Sequence, residues 1–321
     1  MIALALKQIF YMVLMLFIIS IISFGAIHLA PNSFFASGEL NPNITPESIA
    51  RLKHVYGLDK TLIMQFVSWL NAMIHLDFGI SFASGKLVKD EILSRISITL
   101  IMNIISMIFV FIISLYLGIK SAFKQSSRYD VIVKNFSLAS YAMPSFYLAL
   151  LLVILLAVHF KIFPISGLHS PGKLSGFDYY LDMAWHLCLP IFVMVFGGVG
   201  SLVMYVRSLS LNILKSDYIF FAKSRGLSQK QIFWHYILPN LSPPVVTILG
   251  LSLPGLIGGS VILESIFSIN GMGLLFFQSA LSRDYPVIMG ILIISAFLTL
   301  LGNIIADLVL LKINPFSNRR S

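Results

Sequence analysis

Apolar residues occur along the chain in continuous blocks of about 20, separated by polar connections. A helix of that length crosses a hydrocarbon core of roughly 30 Å, because each residue adds about 1.5 Å along the axis. The apolar positions within a block are continuous rather than alternating, which favours helices over a transmembrane barrel. The pattern predicts six transmembrane helices, at residues 9–29, 99–119, 135–160, 187–206, 245–265 and 286–311.

The composition also indicates an all-α integral membrane protein. Of the 321 residues, 58% are apolar and only 11% are charged, whereas soluble domains carry about 25% charged residues. The formal net charge of +9 does not indicate nucleic-acid binding, because lysine and arginine cluster in the connections between apolar blocks. Cys188 is the only cysteine and no two histidines have the spacing of a zinc site, so no disulfide, metal site or cofactor is predicted.

The first apolar block has two interpretations. Lys7, the apolar run after it and the small residues Ala26 and Ala30 are also the features of a cleaved secretion signal. The run is long for a signal sequence, however, and five further spans follow it. We therefore expect residues 1–30 to be retained as the first transmembrane helix.

The basic residues predict the orientation in the membrane. The second connection contains Lys120, Lys124, Arg128 and Lys134, and the fourth contains Arg207, Lys215, Lys223, Arg225 and Lys230. The third connection has only Lys161 and Lys173, and the fifth only Arg283. Because short cytoplasmic connections carry the excess of basic residues, both termini are predicted to be cytoplasmic, and Arg207 is expected to anchor the end of the fourth span.

The same pattern divides the chain into four parts. Residues 31–96 contain prolines, charges and an amphipathic stretch at 62–74, and are predicted to form a small folded region outside the membrane. The complete division is an N-terminal helix at 1–30, the outer region at 31–96, a five-helix membrane domain at 97–311 and a cytoplasmic tail at 312–321.

The cytoplasmic segment 215–239 carries local signals for a helix, a sharp turn and a second helix. In chain order these signals are a cap at Ser216 or Asp217, a left-handed helix end at Gly226, a capping box of Ser228 with Gln231, and a stop at Pro239 and Pro243-Pro244. The segment also contains Phe220, Phe221, Ile232, Phe233 and Trp234, which a solvated loop does not need. These side chains suit either a helix lying on lipid headgroups or a docking surface for a cytoplasmic protein.

This segment resembles the cytoplasmic "EAA" loop of binding-protein-dependent ABC importer permeases. That pattern reads Glu-Ala-Ala, three residues, Gly, nine residues, Ile-x-Leu-Pro. Ala222, Gly226, Leu238 and Pro239 match it at the right spacing, whereas Phe220, Phe221 and Tyr236 stand at its Glu, first Ala and Ile positions. The resemblance implies an ATPase-coupling loop with Asp217, Ala222, Arg225, Gly226, Leu238 and Pro239 among its residues.

The whole chain resembles the first, B-type permease subunit of the dipeptide, oligopeptide and nickel importers. The resembling stretches are Tyr56-Gly-Leu-Asp-Lys60, Leu76-Asp-Phe-Gly79, Asp90-Glu-Ile-Leu-Ser-Arg95, Ala142-Met-Pro-Ser145, Asp217-Tyr218, Gly258-Gly-Ser-Val-Ile-Leu-Glu264 and Arg283-Asp-Tyr-Pro286. One departure is Asn32, which follows Pro31 where relatives often have Gly-Asp.

The resemblance implies a type I ABC importer permease in the inner membrane of a bacterium. Its partners would be a second homologous permease subunit, two cytoplasmic ATPase subunits and a periplasmic binding protein, and membrane lipid would surround it. Its cargo would be dipeptides or oligopeptides, with nickel or a metal chelate as the alternative. The chain itself would not be an enzyme, because ATP hydrolysis would belong to the partner subunits.

Two further readings of the sequence are weaker. A self-sufficient secondary transporter is expected to have internal repeats or ion sites at mid-membrane, and neither is visible. The segment from Gly79 to Lys86 is similar to a phosphate-binding loop, but it is one residue too long and Leu87 replaces the required Ser or Thr.

The fifth span contains the candidates for the translocation path. Its helix breakers are Gly250, Pro254, Gly255, Gly258 and Gly259, which predict a kinked helix or close helix packing. Glu264 lies near the outer end of this span, where a buried carboxylate is costly and usually functional. We expect Gly258, Gly259 and Glu264 to face the path. The alternatives for Glu264 are a pair with Arg283 or a position at the water interface.

Overall fold

The structure is a computed structural model, and it describes the backbone of residues 2–29, 60–172, 175–253 and 255–313. Side chains are described for residues 10–25, 60–172, 175–253, 255–256 and 259–305. The predictions for residues 31–59, for Lys173, for Pro254 and for the tail beyond 313 lie outside the described residues.

The regular secondary structure of the described residues is helical, apart from one isolated bridge between Ile80 and Leu87. In chain order the helices are α1 (Ile2–Leu29), α2 (Leu62–Ile74), α3 (Val88–Phe123), α4 (Arg128–Ala142), α5 (Ser145–Leu152), α6 (Phe177–Leu214), α7 (Asp217–Ser224), α8 (Gln229–Ile232), α9 (Leu238–Ser252), α10 (Gly255–Gly258), α11 (Val261–Ile266), α12 (Met272–Ser282) and α13 (Tyr285–Ile313). Wider π-helical turns continue α5 over Val153–His159 and α8 over Phe233–Ile237.

Within the described residues, three helices are long and apolar enough to cross a membrane. They are α3, α6 and the part of α13 from Tyr285 to Ile305, and a fourth span results if α4 and α5 are counted together. The α1 helix covers the predicted span 9–29, although its side chains are described only from 10 to 25. The protein is therefore an all-helical membrane protein.

The predicted third span, residues 135–160, is not one straight helix. Its two halves, α4 and the helix from Ser145 to His159, are bent by 96° at the short break between them. Pro144 lies at this break and Met143 before it is extended, with φ −82° and ψ 119°. Proline has no N–H to donate and disfavours helical backbone in the residue before it, so the helix ends there.

Two other boundaries differ from the sequence pattern. The α3 helix begins at Val88, inside the predicted outer region 31–96, and Asp90 and Glu91 in its first turn stabilise that end. The fifth span is divided among α9, α10 and α11, and Gly259 between the last two has φ +61°. The predicted kink in this span is confirmed.

Residues 1–98 and 270–301 form one compact unit. Its hydrophobic core is built by Phe78, Val88, Ile92, Met272, Leu275, Val287 and Ile291. The α2 helix packs on α1 through aromatic rings, with the Phe66 centroid 5.3 Å from Phe24 and 6.1 Å from Phe17. Because Phe17 lies in the middle of the predicted span 9–29, α2 is packed against the helix that covers this span.

A buried carboxylate holds in place the segment from Gly79 to Lys86, which is similar in sequence to a phosphate-binding loop. Asp284 is 2% exposed and accepts a hydrogen bond from the Ser81 hydroxyl at 2.5 Å. It also accepts from the backbone N–H of Phe82 at 3.1 Å and of Ala83 at 3.2 Å. The N–H groups that would cradle a phosphate in such a loop are thus used to hold Asp284.

Residues 99–269 and 302–321 form the second unit, in which small residues let helices approach closely. A Cβ atom added to Gly200 on α6 would lie 2.8 Å from the backbone N of Tyr141 on α4. One added to Gly118 on α3 would lie 2.9 Å from the carbonyl oxygen of Val203 on α6. Glycine at both positions allows the backbone contact on which membrane helix packing depends.

Candidate functional site

The loop of residues 215–239 begins with α7, whose start differs from the prediction. Ser216 occupies the N-cap position with extended backbone, but its side chain makes no capping hydrogen bond. Its hydroxyl instead donates to the carbonyl oxygen of Ile213 at 2.5 Å, at the end of α6. Asp217 is the first residue of α7, where a carboxylate interacts favourably with the helix dipole.

The turn after α7 has the predicted left-handed glycine. Gly226 has φ +80° and its N–H donates to the carbonyl of Lys223 at 2.9 Å. The N–H of Leu227 donates to the carbonyl of Ala222 at 3.2 Å. These two bonds form a Schellman motif, which needs a residue with positive φ at the position of Gly226.

The predicted capping box is also present at the start of α8. The backbone N–H of Ser228 donates to Oε1 of Gln231 at 2.8 Å, and the N–H of Gln231 donates to Oγ of Ser228 at 3.3 Å. The loop is therefore closed at both sides of its turn by local hydrogen bonds.

The prediction that Pro239 stops the second helix is wrong. The chain continues from α8 through the π-helical turn into α9, and Pro239, Pro243 and Pro244 all lie within α9. Pro239 is at the start of α9, where a missing N–H is tolerated. Further along α9, a side chain replaces a backbone N–H that proline lacks. The Ser242 hydroxyl donates to the carbonyl of Pro239 at 3.1 Å.

One face of the loop is built into the hydrophobic core of its unit. Ile219, Ile232 and Ile237 are buried in a cluster with Ile119 of α3 and Val206 of α6. Ala222 is also buried, with 2% of its surface exposed. The loop is consequently held by packing as well as by its own hydrogen bonds.

The opposite face carries exposed aromatic rings. Phe220 is 67% exposed and Phe221 is 63% exposed, and Tyr218 and Trp234 are also exposed. Tyr218 stacks on Tyr236 with centroids 6.0 Å apart and planes 18° apart. We call these four exposed rings, Tyr218, Phe220, Phe221 and Trp234, the aromatic face.

Exposed charges accompany the aromatic face, and most of them are basic. Lys223, Arg225 and Lys230 are exposed, and so is Asp217. Large exposed apolar patches beside charged residues are typical of protein or membrane interaction sites. The last two residues that match the EAA pattern lie at the end of the loop, where Leu238 is half-buried and Pro239 is exposed.

A buried ion pair joins the helices around this loop. Arg207 of α6 donates from Nε to Oδ1 of Asp130 at 2.6 Å and from Nη2 to Oδ2 at 2.9 Å. The Ser121 hydroxyl of α3 donates to the same carboxylate at 2.5 Å, and the Ser126 N–H donates at 3.0 Å. Asp130 is 1% exposed, and these donors stabilise its ionised form.

Sequence reasoning expected Arg207 to anchor α6 but missed Asp130 as its partner. The available signal was weak: each residue lies beside a predicted span, and both lie on the same predicted side of the membrane. Seventy-seven residues separate them in sequence, so no local spacing relates the two.

The path candidates lie in a different set of helices from the loop. Glu264 on α11 is 1% exposed and accepts a hydrogen bond from the Thr99 hydroxyl at 3.2 Å. Its side chain is therefore buried within this unit of the chain. Gly258 ends α10, and Gly259 makes the left-handed turn before α11.

The amino-acid sequence matches a known family over almost its whole length. Residues 114–317 match the family described as "Binding-protein-dependent transport system inner membrane component". Residues 1–103 match the N-terminal part described as "Binding-prot-dependent transport system membrane comp, N-term". The chain belongs to this family.

Similar proteins cover nearly the full chain. The oligopeptide transport system permease protein AppB of Bacillus subtilis is 35% identical over 298 residues, 92% of this chain and 93% of its own length. The oligopeptide transport system permease protein OppB of Haemophilus influenzae is 32% identical, covering 94% of each. The dipeptide transport system permease protein DppB of Escherichia coli is 30% identical, covering 92% of this chain and 93% of its own.

Family membership makes this chain an inner-membrane component of a binding-protein-dependent transport system. The matched range 114–317 contains the 215–239 loop, the Asp130–Arg207 pair and Glu264. Among the described residues, no group of three His, Cys, Asp or Glu side chains is arranged to hold a metal ion.

Proposed function

We propose that this chain is the first permease subunit of an ATP-driven importer of dipeptides or oligopeptides. The names of the three relatives refer to dipeptide or oligopeptide transport, which favours peptides over nickel. In this proposal the chain crosses the membrane six times with both termini in the cytoplasm. Residues 31–96 belong to the periplasmic side and 97–311 to the membrane domain.

The proposed coupling role rests on the two different faces of the 215–239 loop. Its inner face is packed on α3 and α6, whereas its aromatic face is exposed. A rigid element that is packed on one side and open on the other can transmit the movement of a docked protein to the membrane helices. We assign the aromatic face to one cytoplasmic ATPase subunit, with Arg225 and Lys223 beside the contact.

The remaining partners follow from this assignment. A second homologous permease would pair with this chain and dock the other ATPase subunit, and a periplasmic binding protein would deliver the peptide. ATP binding and hydrolysis in the partners would bias the permease between inward-facing and outward-facing states. The chain itself would carry no catalytic site.

Glu264, which is 1% exposed in this structure, is our candidate for a residue that contacts the peptide once α11 has moved. A carboxylate buried within a membrane protein is costly and usually serves a substrate path. A charged carboxylate at this position suits the amino group of a peptide. The Thr99 hydroxyl would orient it, and the flexible backbone at Gly258 and Gly259 would let α11 move.

The docking proposal is tested by copurification of the chain with its native partners. The double variant Phe220→Ser with Phe221→Ser should lose the ATPase subunits and ATP-dependent uptake of a labelled dipeptide, while membrane insertion is retained. Phe177→Ser removes an aromatic ring that is 74% exposed outside the loop and is the matched control. Full ATPase recovery with the double variant would refute this assignment.

The substrate proposal has a separate test. A strain lacking this chain should lose uptake of labelled dipeptide and keep uptake of labelled nickel. In the intact complex, Glu264→Gln should lower peptide uptake without loss of the ATPase subunits. Wild-type uptake by this variant would remove Glu264 from the path.

A further inference from the structure

A groove of about 800 Å³ lies beside the 215–239 loop, within the unit that contains residues 99–269. One wall is the end of α3 and the other is α8 with the π-helical turn after it. The groove is lined by Ile112, Leu115, Tyr116, Ile119, Lys120, Phe123, Lys124, Gln229, Lys230, Phe233 and Leu238.

The residues that line the groove fall into an apolar group and a basic group. Ile112, Leu115 and Ile119 form an apolar wall on α3, and Phe233 and Leu238 face it from the loop side. Three lysines also line the groove: Lys120 in the last turn of α3, Lys124 directly after α3, and Lys230 in α8. No Asp or Glu is among these lining residues, all of which the structure describes.

The two lysines at the end of α3 lie against aromatic rings and not against carboxylates. The Lys120 ammonium donates to the Tyr116 hydroxyl at 2.6 Å and lies 5.1 Å from the centroid of Tyr129. The Lys124 ammonium lies 5.6 Å from the same centroid. Within the described part of the chain, no carboxylate forms an ion pair with Lys120, Lys124 or Lys230. Their positive charge is available to an anion.

The position of the groove along α3 matches the edge of a membrane. The apolar run of this helix ends at Ile119, and Lys120 is the first basic residue after it. The boundary between hydrocarbon and headgroups therefore passes between the apolar wall and the lysines. Basic pockets between membrane helices on the cytoplasmic side are suited to acidic lipid headgroups.

We propose that this groove binds an anionic phospholipid of the cytoplasmic leaflet. The phosphate lies among the three lysine ammonium groups, and an acyl chain lies along the wall from Ile112 to Ile119. The leaflet assignment rests on the membrane orientation proposed above. Because Lys230 belongs to α8, the bound lipid connects the loop to α3.

The binding is tested by native mass spectrometry of the purified full chain in detergent. Phosphatidylglycerol and phosphatidylcholine with identical acyl chains are titrated in parallel. We expect phosphatidylglycerol to bind at least about tenfold more tightly, since each lysine near a phosphate adds to the attraction. The triple variant K120Q/K124Q/K230Q should lose this preference, because its lysines are replaced by neutral side chains.

A matched control removes three lysines elsewhere. K86Q/K89Q/K161Q changes the net charge equally at exposed positions and should keep the preference. Leu115→Trp fills the apolar wall without changing charge and should weaken phosphatidylglycerol binding. Equal losses in both triple variants, or wild-type binding by Leu115→Trp, would mean adsorption to the charged surface and would overturn the proposal.

A second measurement identifies the occupant in the native membrane. A photo-crosslinking side chain at Ile112, which is 59% exposed, should give a phospholipid adduct. An adduct with another polypeptide would show that a partner subunit fills the groove, and the proposal would then be wrong. Both measurements concern lipid binding alone, so their outcome is separate from that of the uptake tests.

Discussion

Arg207 holds both carboxylate oxygens of Asp130, with Nε 2.6 Å from Oδ1 and Nη2 2.9 Å from Oδ2. The pair joins α6 to α4, and the Ser121 hydroxyl adds α3 to the same group. Ile119 and Val206, which lie close in sequence to Ser121 and Arg207, are in the core against which the 215–239 loop packs. The ion pair therefore fixes the helices that support the loop.

Asp130→Asn should destabilise the protein strongly. The change leaves Arg207 without its charged partner in a mostly buried position, and breaking such a pair costs about 3 kcal/mol. Reversible unfolding in mixed micelles measures the loss. Asp178→Asn, at an exposed position at the start of α6, should change stability by less than about 0.5 kcal/mol.

A double variant separates charge pairing from general damage. Asp130→Asn with Arg207→Gln removes both charges and leaves two amides that can bond to each other. Its free-energy loss should be smaller than the sum of the two single losses. Additive losses would mean that the two residues act independently.

Gly200→Ala should disrupt the contact between α6 and α4. The new methyl group would lie 2.8 Å from the Tyr141 backbone N, and backbone cannot move aside as a flexible side chain can. Overpacking of this kind costs about 1–3 kcal/mol. Gly197→Ala, on the same helix with nothing within 4 Å of the added atom, is the control and should not be destabilising. Equal unfolding free energies for the two variants would contradict the packing we describe.

Gly226→Ala should loosen the turn of the loop through backbone strain alone. No atom lies within 4 Å of the added Cβ, but φ is +80°. An L-residue in the left-handed region loses about 1 kcal/mol. Gly226→Asn should lose less, because asparagine tolerates this conformation better. Amide hydrogen exchange at Leu227, whose N–H closes the turn, reports the loosening, and equal exchange in the two variants would argue against strain.

Asp284→Asn should release the segment that precedes α3. An asparagine side chain has one acceptor oxygen, so the N–H groups of Phe82 and Ala83 and the Ser81 hydroxyl cannot all keep their bonds. We expect a loss of about 2 kcal/mol and faster hydrogen exchange at these two amides. Asp77→Asn, which alters an exposed carboxylate that accepts from Gly79, is the control and should leave both amides protected.

Features that depend on neighbouring residues were predictable. The left-handed turn follows from the glycine at position 226, and the capping box follows from Ser228 and Gln231, three positions apart. Ser216 occupies the N-cap position, one of the two predicted, but its hydroxyl donates to the carbonyl of Ile213 and makes no capping hydrogen bond. Pro239 was expected to stop a helix, yet a helix start tolerates a residue without an N–H and the chain continues.

Contacts between distant residues were not predictable. Ser81 and Asp284 are 203 residues apart, and Asp130 and Arg207 are 77 apart, so no spacing in the sequence connects them. The close approach at Gly200 also depends on which helix lies opposite. The glycines that stand out in the sequence are those of the fifth span, where Gly259 has φ +61° and separates two helices.

The sequence by itself determined that this protein is a helical membrane protein of the binding-protein-dependent transport family. Membrane insertion depends on the length and hydrophobicity of each block, and both can be counted along the chain. Only the tertiary structure decided which carboxylate binds Arg207 and which carboxylate accepts hydrogen bonds from residues 81–83. It also decided which face of the 215–239 loop stays exposed. Those outcomes depend on packing between helices, because a polar group buried there must find its partner on another segment.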